Sequence, residues 1–238
     1  LRVAPQGQGD AMSFLLPLVA GCALLPVAQA EKPVTLRYVL PEMGKLVTAA
    51  EVTTTRGDDG TFVTIKSERP DEKMTVTLRY DRDGKLTAAD AVQGRKGVTL
   101  TLGEKGTGTM KRGGITDLLK DLPANPVVAA GPDWADVLQV VRRYDGAKGG
   151  KQEIAGFSID PVQGFQKQKF TAETLPPVTI AVKDKEMKLD RYRLKVRGGD
   201  YAAWADGDGR VVRLQGVARG AVPVVLDGFE DATRGLKP

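Results

Sequence analysis

The sequence predicts a mainly β fold with two central α-helices, arranged as a curved antiparallel meander or half-open barrel with the helices packed on one face. Three observations carry this. Apolar and polar residues alternate with period two over many short segments, as a half-buried strand requires. Clusters of Gly, Asp and Pro separate those segments at hairpin spacing. Between residues 115 and 144 the apolar period lengthens to that of an amphipathic helix.

Taken in order, Val34, Leu36 and Tyr38 alternate with Thr35 and Arg37, which predicts a first strand. "PEMG" at 41–44 turns the chain into a β-rich run over 45–55, and "RGDDG" at 56–60 turns it into a strand at 61–67. After a turn at 68–72, "VTLRY", "GKL" and "TAA" recur over 76–92 in the order they hold over 34–52, which reads as two copies of one hairpin unit. Strands at 98–102 and 109–111 complete a first half of about six or seven strands. Ile115, Leu118, Leu119 and Leu122 then form a stripe at i, i+3, i+4, i+7, predicting a helix that Pro123 stops. Trp134, Val137, Leu138, Val141 and Tyr144 form a second stripe, with Pro132 and Asp133 suited to its first turn and Gly146 to its end. "GAKGGK" at 146–151 reads as a hinge between halves. Strands follow at 156–159, 164–171 and 178–182, with "LPP" at 175–177 as an interruption. Asp190–Arg197, the hairpin Tyr201–Leu214 and Val222–Leu226 complete the strands. Residues 228–238 are expected to be a mobile tail.

Composition removes several chemistries. There is no histidine, which excludes Ser-His-Asp and Cys-His catalysis and any His-containing metal site. Cys22 is the sole cysteine, so neither an internal disulfide nor a thiolate cluster can form. The net charge of +5 comes from 35 basic against 30 acidic residues, interspersed rather than blocked, so nucleic acid is not an expected partner. No cofactor is expected. Asp81 and Asp83, like Asp206 and Asp208, resemble the start of a calcium loop, but the twelfth positions are Val92 and Val217 where a glutamate is needed. Turn chemistry accounts for both pairs.

The N-terminal segment reads as an export signal. Met12 precedes the apolar run "FLLPLVAGCALLPV" at 14–27, too short for a comfortable membrane span, and "AQA" ends it at Ala30. Residues 1–30 are therefore expected to be upstream sequence and signal peptide. Residues 31–238 are then the mature β-rich region, whose halves 31–145 and 151–228 can share one sheet. Three processing routes stand: cleavage after Ala30, lipidation of Cys22 within the lipobox-like "VAGC", or retention of the segment as an anchor or buried helix. Each places the protein outside the cytoplasm, in the periplasm, secreted, or on the outer membrane as a lipoprotein. Membrane contact is expected only through Cys22 or peripherally.

No catalytic residue is assigned. Arg191, Arg193, Lys195 and Arg197 alternate on one face of their strand, a candidate anion-binding surface or else the solvated charge that protects an edge strand. Trp134 and Trp204 are expected in the core. The segment "LDRYRLKV" with "YAAWADGDGRVVRL", carrying Trp204-x-Asp206-x-x-Gly209-Arg210, resembles β-rich domains of unknown function in exported bacterial proteins. The long meander with central helices is similar to the LolA/LolB lipoprotein-carrier type of fold. That resemblance implies a half-open barrel whose concave face can hold an acyl chain. The functional expectation is an exported, non-enzymatic β-protein that binds a lipid or other hydrophobic ligand, or an envelope protein. A carboxylate-based hydrolase of envelope polysaccharide and a structural or accessory module are the alternatives.

Overall fold

The period-two segments do form strands, and they join into one sheet. A computed structural model describes residues 31–67, 73–131, 133–161 and 163–238. The signal-like segment, with Cys22 and Ala30, lies outside the described residues. Eight strands run as a meander: β1 (Val34–Glu42), β2 (Lys45–Gly57), β3 (Gly60–Ser67), β4 (Met74–Tyr80), β5 (Leu86–Gln93), β6 (Lys96–Leu102), β7 (Gly108–Arg112) and β8 (Ile115–Leu119). A short strand β9 (Val127–Ala129) leads into helix α1 (Asp133–Arg143). A second meander follows: β10 (Lys151–Asp160), β11 (Gly164–Val182), β12 (Lys185–Val196), β13 (Gly199–Ala205), β14 (Val211–Gly216) and β15 (Val224–Leu226), ending in a single-turn helix α2 (Glu230–Thr233). The fifteen strands lie in the order β8 to β1, then β15 back to β9. The first meander thus runs outward from the middle of the sheet to one edge, the second runs inward from the other edge, and they meet where β15 pairs with both β1 and β14. Among the described residues only the β9–β10 pairing is parallel.

The sheet curves around α1. Tyr38 on β1 meets Trp134 of the helix, with ring centroids 6.3 Å apart. The Arg143 guanidinium lies 5.7 Å over the Tyr80 ring at the end of β4. Asp136 pairs with Arg197, just after β12, at 2.9 Å. In a flat sheet β4 and β12 would lie about 34 Å apart, at roughly 4.8 Å per strand spacing. One helix about 10 Å across touches both only because the sheet wraps it. Trp134 through Val141 are consequently all buried. The apolar stripe of α1 thus correctly predicted a helix, but the helix has no solvent face along most of its length.

Two polar side chains on this enclosed helix need partners, because an unpaired buried polar group costs about 1–3 kcal/mol. Gln139 Nε2 donates to the Val128 carbonyl at 2.7 Å, and Val128 N–H donates to Gln139 Oε1 at 3.3 Å. The amide side chain thereby acts as a surrogate neighbour strand for β9. Asp136, with a side chain 1% exposed, takes Arg197, which reaches it from a turn residue at φ +47°.

Three expectations are corrected. Residues 115–122 are not a helix. Gly113 and Gly114 both take positive φ, forming a two-residue hairpin loop that sends the chain back along β7 as β8. Helically spaced Ile115 and Leu118 fall on opposite faces of that strand and stay 61% and 77% exposed. The "LPP" segment does not end a strand. Pro176 and Pro177, which have no N–H to donate, sit at a register shift between Leu175 and Val178 while β11 continues. Nor is 228–238 a loose tail: Thr233 is buried, Phe229 and Leu236 pack against the core, and buried Arg213 donates to the Thr233 carbonyl.

Removing one partner of the Asp136–Arg197 pair leaves a buried charge without its counter-ion. Arg197→Ala is expected to lower unfolding free energy in urea by on the order of 3 kcal/mol. Lys195→Ala, an exposed change two residues earlier on β12, should stay within about 0.5 kcal/mol. Equal effects of the two would show that the ion pair does not hold α1 in place.

Candidate ligand site

The same turn is built twice, once in each meander. Asp81 N–H donates to the Lys85 carbonyl (2.9 Å) and Gly84 N–H to the Asp81 carbonyl (3.1 Å). Asp206 N–H donates to the Arg210 carbonyl (3.0 Å) and Gly209 N–H to the Asp206 carbonyl (2.9 Å). The Asp81 carboxylate accepts from the N–H of Asp83 and Lys85, and the Asp206 carboxylate from Asp208 and Arg210, all within 3.0 Å. Gly84 and Gly209 both sit at φ +73°, which a side chain would strain. A register shift adjoins each turn, beside Tyr80 and beside Trp204. Shared D-x-D-G-[K/R] chemistry therefore gives shared geometry, and the first carboxylate of each pair is engaged by the turn itself. Among the described residues no group of three or more Asp, Glu, His or Cys side chains is placed to hold a metal ion.

Both turn tips reach the same end of the half-barrel, where a cavity of about 490 Å³ opens. Gly84 lines it from the β4–β5 turn, and Asp208 and Arg210 from the β13–β14 turn. Its apolar wall is Val34, Leu36, Val63 and Tyr80, on β1, β3 and β4. Its cations are Lys32, Arg56, Arg142 and Arg210, and its carboxylates Glu31 and Asp208. A neck of about 20 Å³ continues inward between Tyr38, Ile65 and Leu138. That neck holds about one water. Inward of the neck, α1 packs against the concave face.

The charges are unevenly committed. Glu31 lies 3.6 Å from Arg56. Arg210 is held by Asp206 at 2.7 Å and Asp208 at 3.3 Å. Arg142, on the last turn of α1, has no ion pair or hydrogen bond among the described residues and lines both neck and mouth. The Tyr80 hydroxyl has no hydrogen bond among them either. Gly60 lets Tyr80 sit where it does: a Cβ there would lie 2.0 Å from the Tyr80 carbonyl oxygen.

Burial raises the Tyr80 phenol pKa, against the opposing pull of Arg143 and Arg142. Deeper in, Tyr38 donates to the Val211 carbonyl at 3.0 Å. Burial pushes its pKa up to about 12, with Arg142 again opposing.

The basic row of β12 lies elsewhere and is divided. Arg193 is opposite Glu173 of β11, and Lys195 is opposite Asp200 of β13. Arg191 is half-buried opposite Trp204. Arg197 leaves the row for Asp136. Trp134 and Trp204 are core residues, as expected. The sequence reading did not single out Lys32, Arg56, Tyr80, Arg142 or Arg210 as a group. The recurring Asp-Gly turn was the one signal pointing to this end. No protein-family profile, curated protein or solved structure matches this chain.

Tyr38 makes stability sensitive to alkali. Below pH 10 both folded and unfolded chains keep the phenol proton. As pH rises from about 10 to about 12, the unfolded chain releases it first and unfolding is favoured. The loss through this group is on the order of 2 kcal/mol across that window. Tyr38→Phe is expected to give a shallower fall in urea midpoint between about pH 9 and about pH 11 than the parent protein. An unchanged slope would remove Tyr38 as a source.

Proposed function

We propose that the protein is an exported, non-enzymatic β-protein that binds a hydrophobic or amphiphilic small molecule at the open end of its half-barrel. The observation that carries this is the cavity of about 490 Å³, which has an apolar wall on three strands with charged groups set around it. Its size falls within the roughly 300–1,000 Å³ of small-molecule sites. The signal-like segment over 12–30 supports an extracytoplasmic setting, with Ala30 cleavage or Cys22 lipidation as the processing step. The mouth carboxylates, Glu31 and Asp208, each sit against an arginine, which suits rim electrostatics better than the acid–base pair of a glycosidase. A barrel-filling acyl chain, as in the carrier-like reading, has no room beside α1, so the ligand lies in the mouth.

An envelope protein is the second reading. It is favoured by β8, which among the described residues pairs only with β7 and exposes Ile115 and Leu118.

Titration of the purified protein with the neutral dye N-phenyl-1-naphthylamine tests the first reading. Saturable fluorescence enhancement is expected. Leu36→Trp, which fills the mouth from a half-buried position, should weaken dye binding by at least about tenfold with little change in unfolding midpoint. Absence of uptake, together with no lipid in solvent extracts of the protein, would overturn it.

A further inference from the structure

Resting on that ligand-binding reading, we propose that the cavity selects amphiphiles with a single oxyanion headgroup, and that Arg142 is the residue that reads the charge. Four cations face two carboxylates at the mouth, leaving it net positive. The imbalance is localised. Arg56 and Arg210 are each matched by a carboxylate, and Arg143 lies over the Tyr80 ring. Among the described residues Arg142 is the matched set's exception at the inner end, and Lys32 has no ion pair at the rim.

Arg142 presents a planar fork of donors, and the Tyr80 hydroxyl adds another from the facing strand. Both groups border Leu36 and Val63. A carboxylate or phosphate held there would accept charge-assisted bonds while its chain lay along apolar side chains. The narrow neck stops the chain from going deeper, so the headgroup sits inward and the chain runs out past Leu36 toward exposed Val34. A neutral headgroup would make no charge-assisted bond with this exposed guanidinium. A cationic one would face it directly.

Displacement of bound N-phenyl-1-naphthylamine by decanoate, decyl phosphate, decanol and decylamine tests this. Decanoate or decyl phosphate is expected to displace the dye at concentrations at least about tenfold lower than decanol, with decylamine weakest. The better of the two anions identifies the headgroup. Arg142→Gln should bring decanoate and decanol to within about threefold of each other, each displacement referred to the variant's own dye affinity, while the urea midpoint holds. Equal displacement by decanol and decanoate in the parent protein overturns the inference but leaves the ligand-binding reading standing. So does an anion preference that survives Arg142→Gln. Failure of the parent protein to take up dye or any of the four compounds overturns both.

Discussion

A helix enclosed along most of its length is the constraint on which this fold depends. α1 carries Asp136 and Gln139 into a core where water cannot satisfy them. Each must find a partner on the surrounding sheet. Gln139 supplies the missing ladder of β9, the shortest and most enclosed edge. Asp136 draws Arg197 out of an otherwise outward-facing row. The two contacts lie three residues apart on the helix and fix it to strands at and near one edge of the sheet. With that position set, Trp134 meets Tyr38 and Arg143 meets Tyr80 on the other meander. The last turn of the helix is thereby delivered to the open end, with Arg142 directed into the cavity.

Much of the fold was legible because strands obey a local rule. Val63 and Ile65 are buried between Thr64 and Lys66, as alternation requires. The second helix was legible from its stripe and its flanking residues. The helix expected at 115–122 shows where periodicity fails. Four apolar residues at i, i+3, i+4, i+7 satisfy a helix, but two successive glycines with positive φ impose a hairpin first. The repeat of "VTLRY" was real as sequence, and each copy opens a hairpin, yet β1 and β4 run in opposite directions. The closer structural equivalence joins the β4–β5 turn to the β13–β14 turn.

The cavity was not legible, for a geometric reason. Its residues come from positions 31 to 210, and nothing local marks them as neighbours. They converge because two meanders wind toward each other around one helix. Linear order placed the strongest cluster of positive charge on β12, where register sets acids opposite two of its members. The unmatched guanidinium arose instead where a helix ends inside a curved sheet, a condition that appears only once the winding is known.

The three-residue strand β15 has a consequence for how the molecule is made. It is the junction between the meanders, and its Val225 lies opposite Val39, close to the start of the first meander. That pairing spans most of the chain, so loop closure delays it. During synthesis that side of β1 stays unpaired until almost the last residue has emerged, so the two meanders cannot join into one sheet before then. The sheet therefore stays in two unjoined halves for nearly the whole of elongation, and closes only when its final strand arrives.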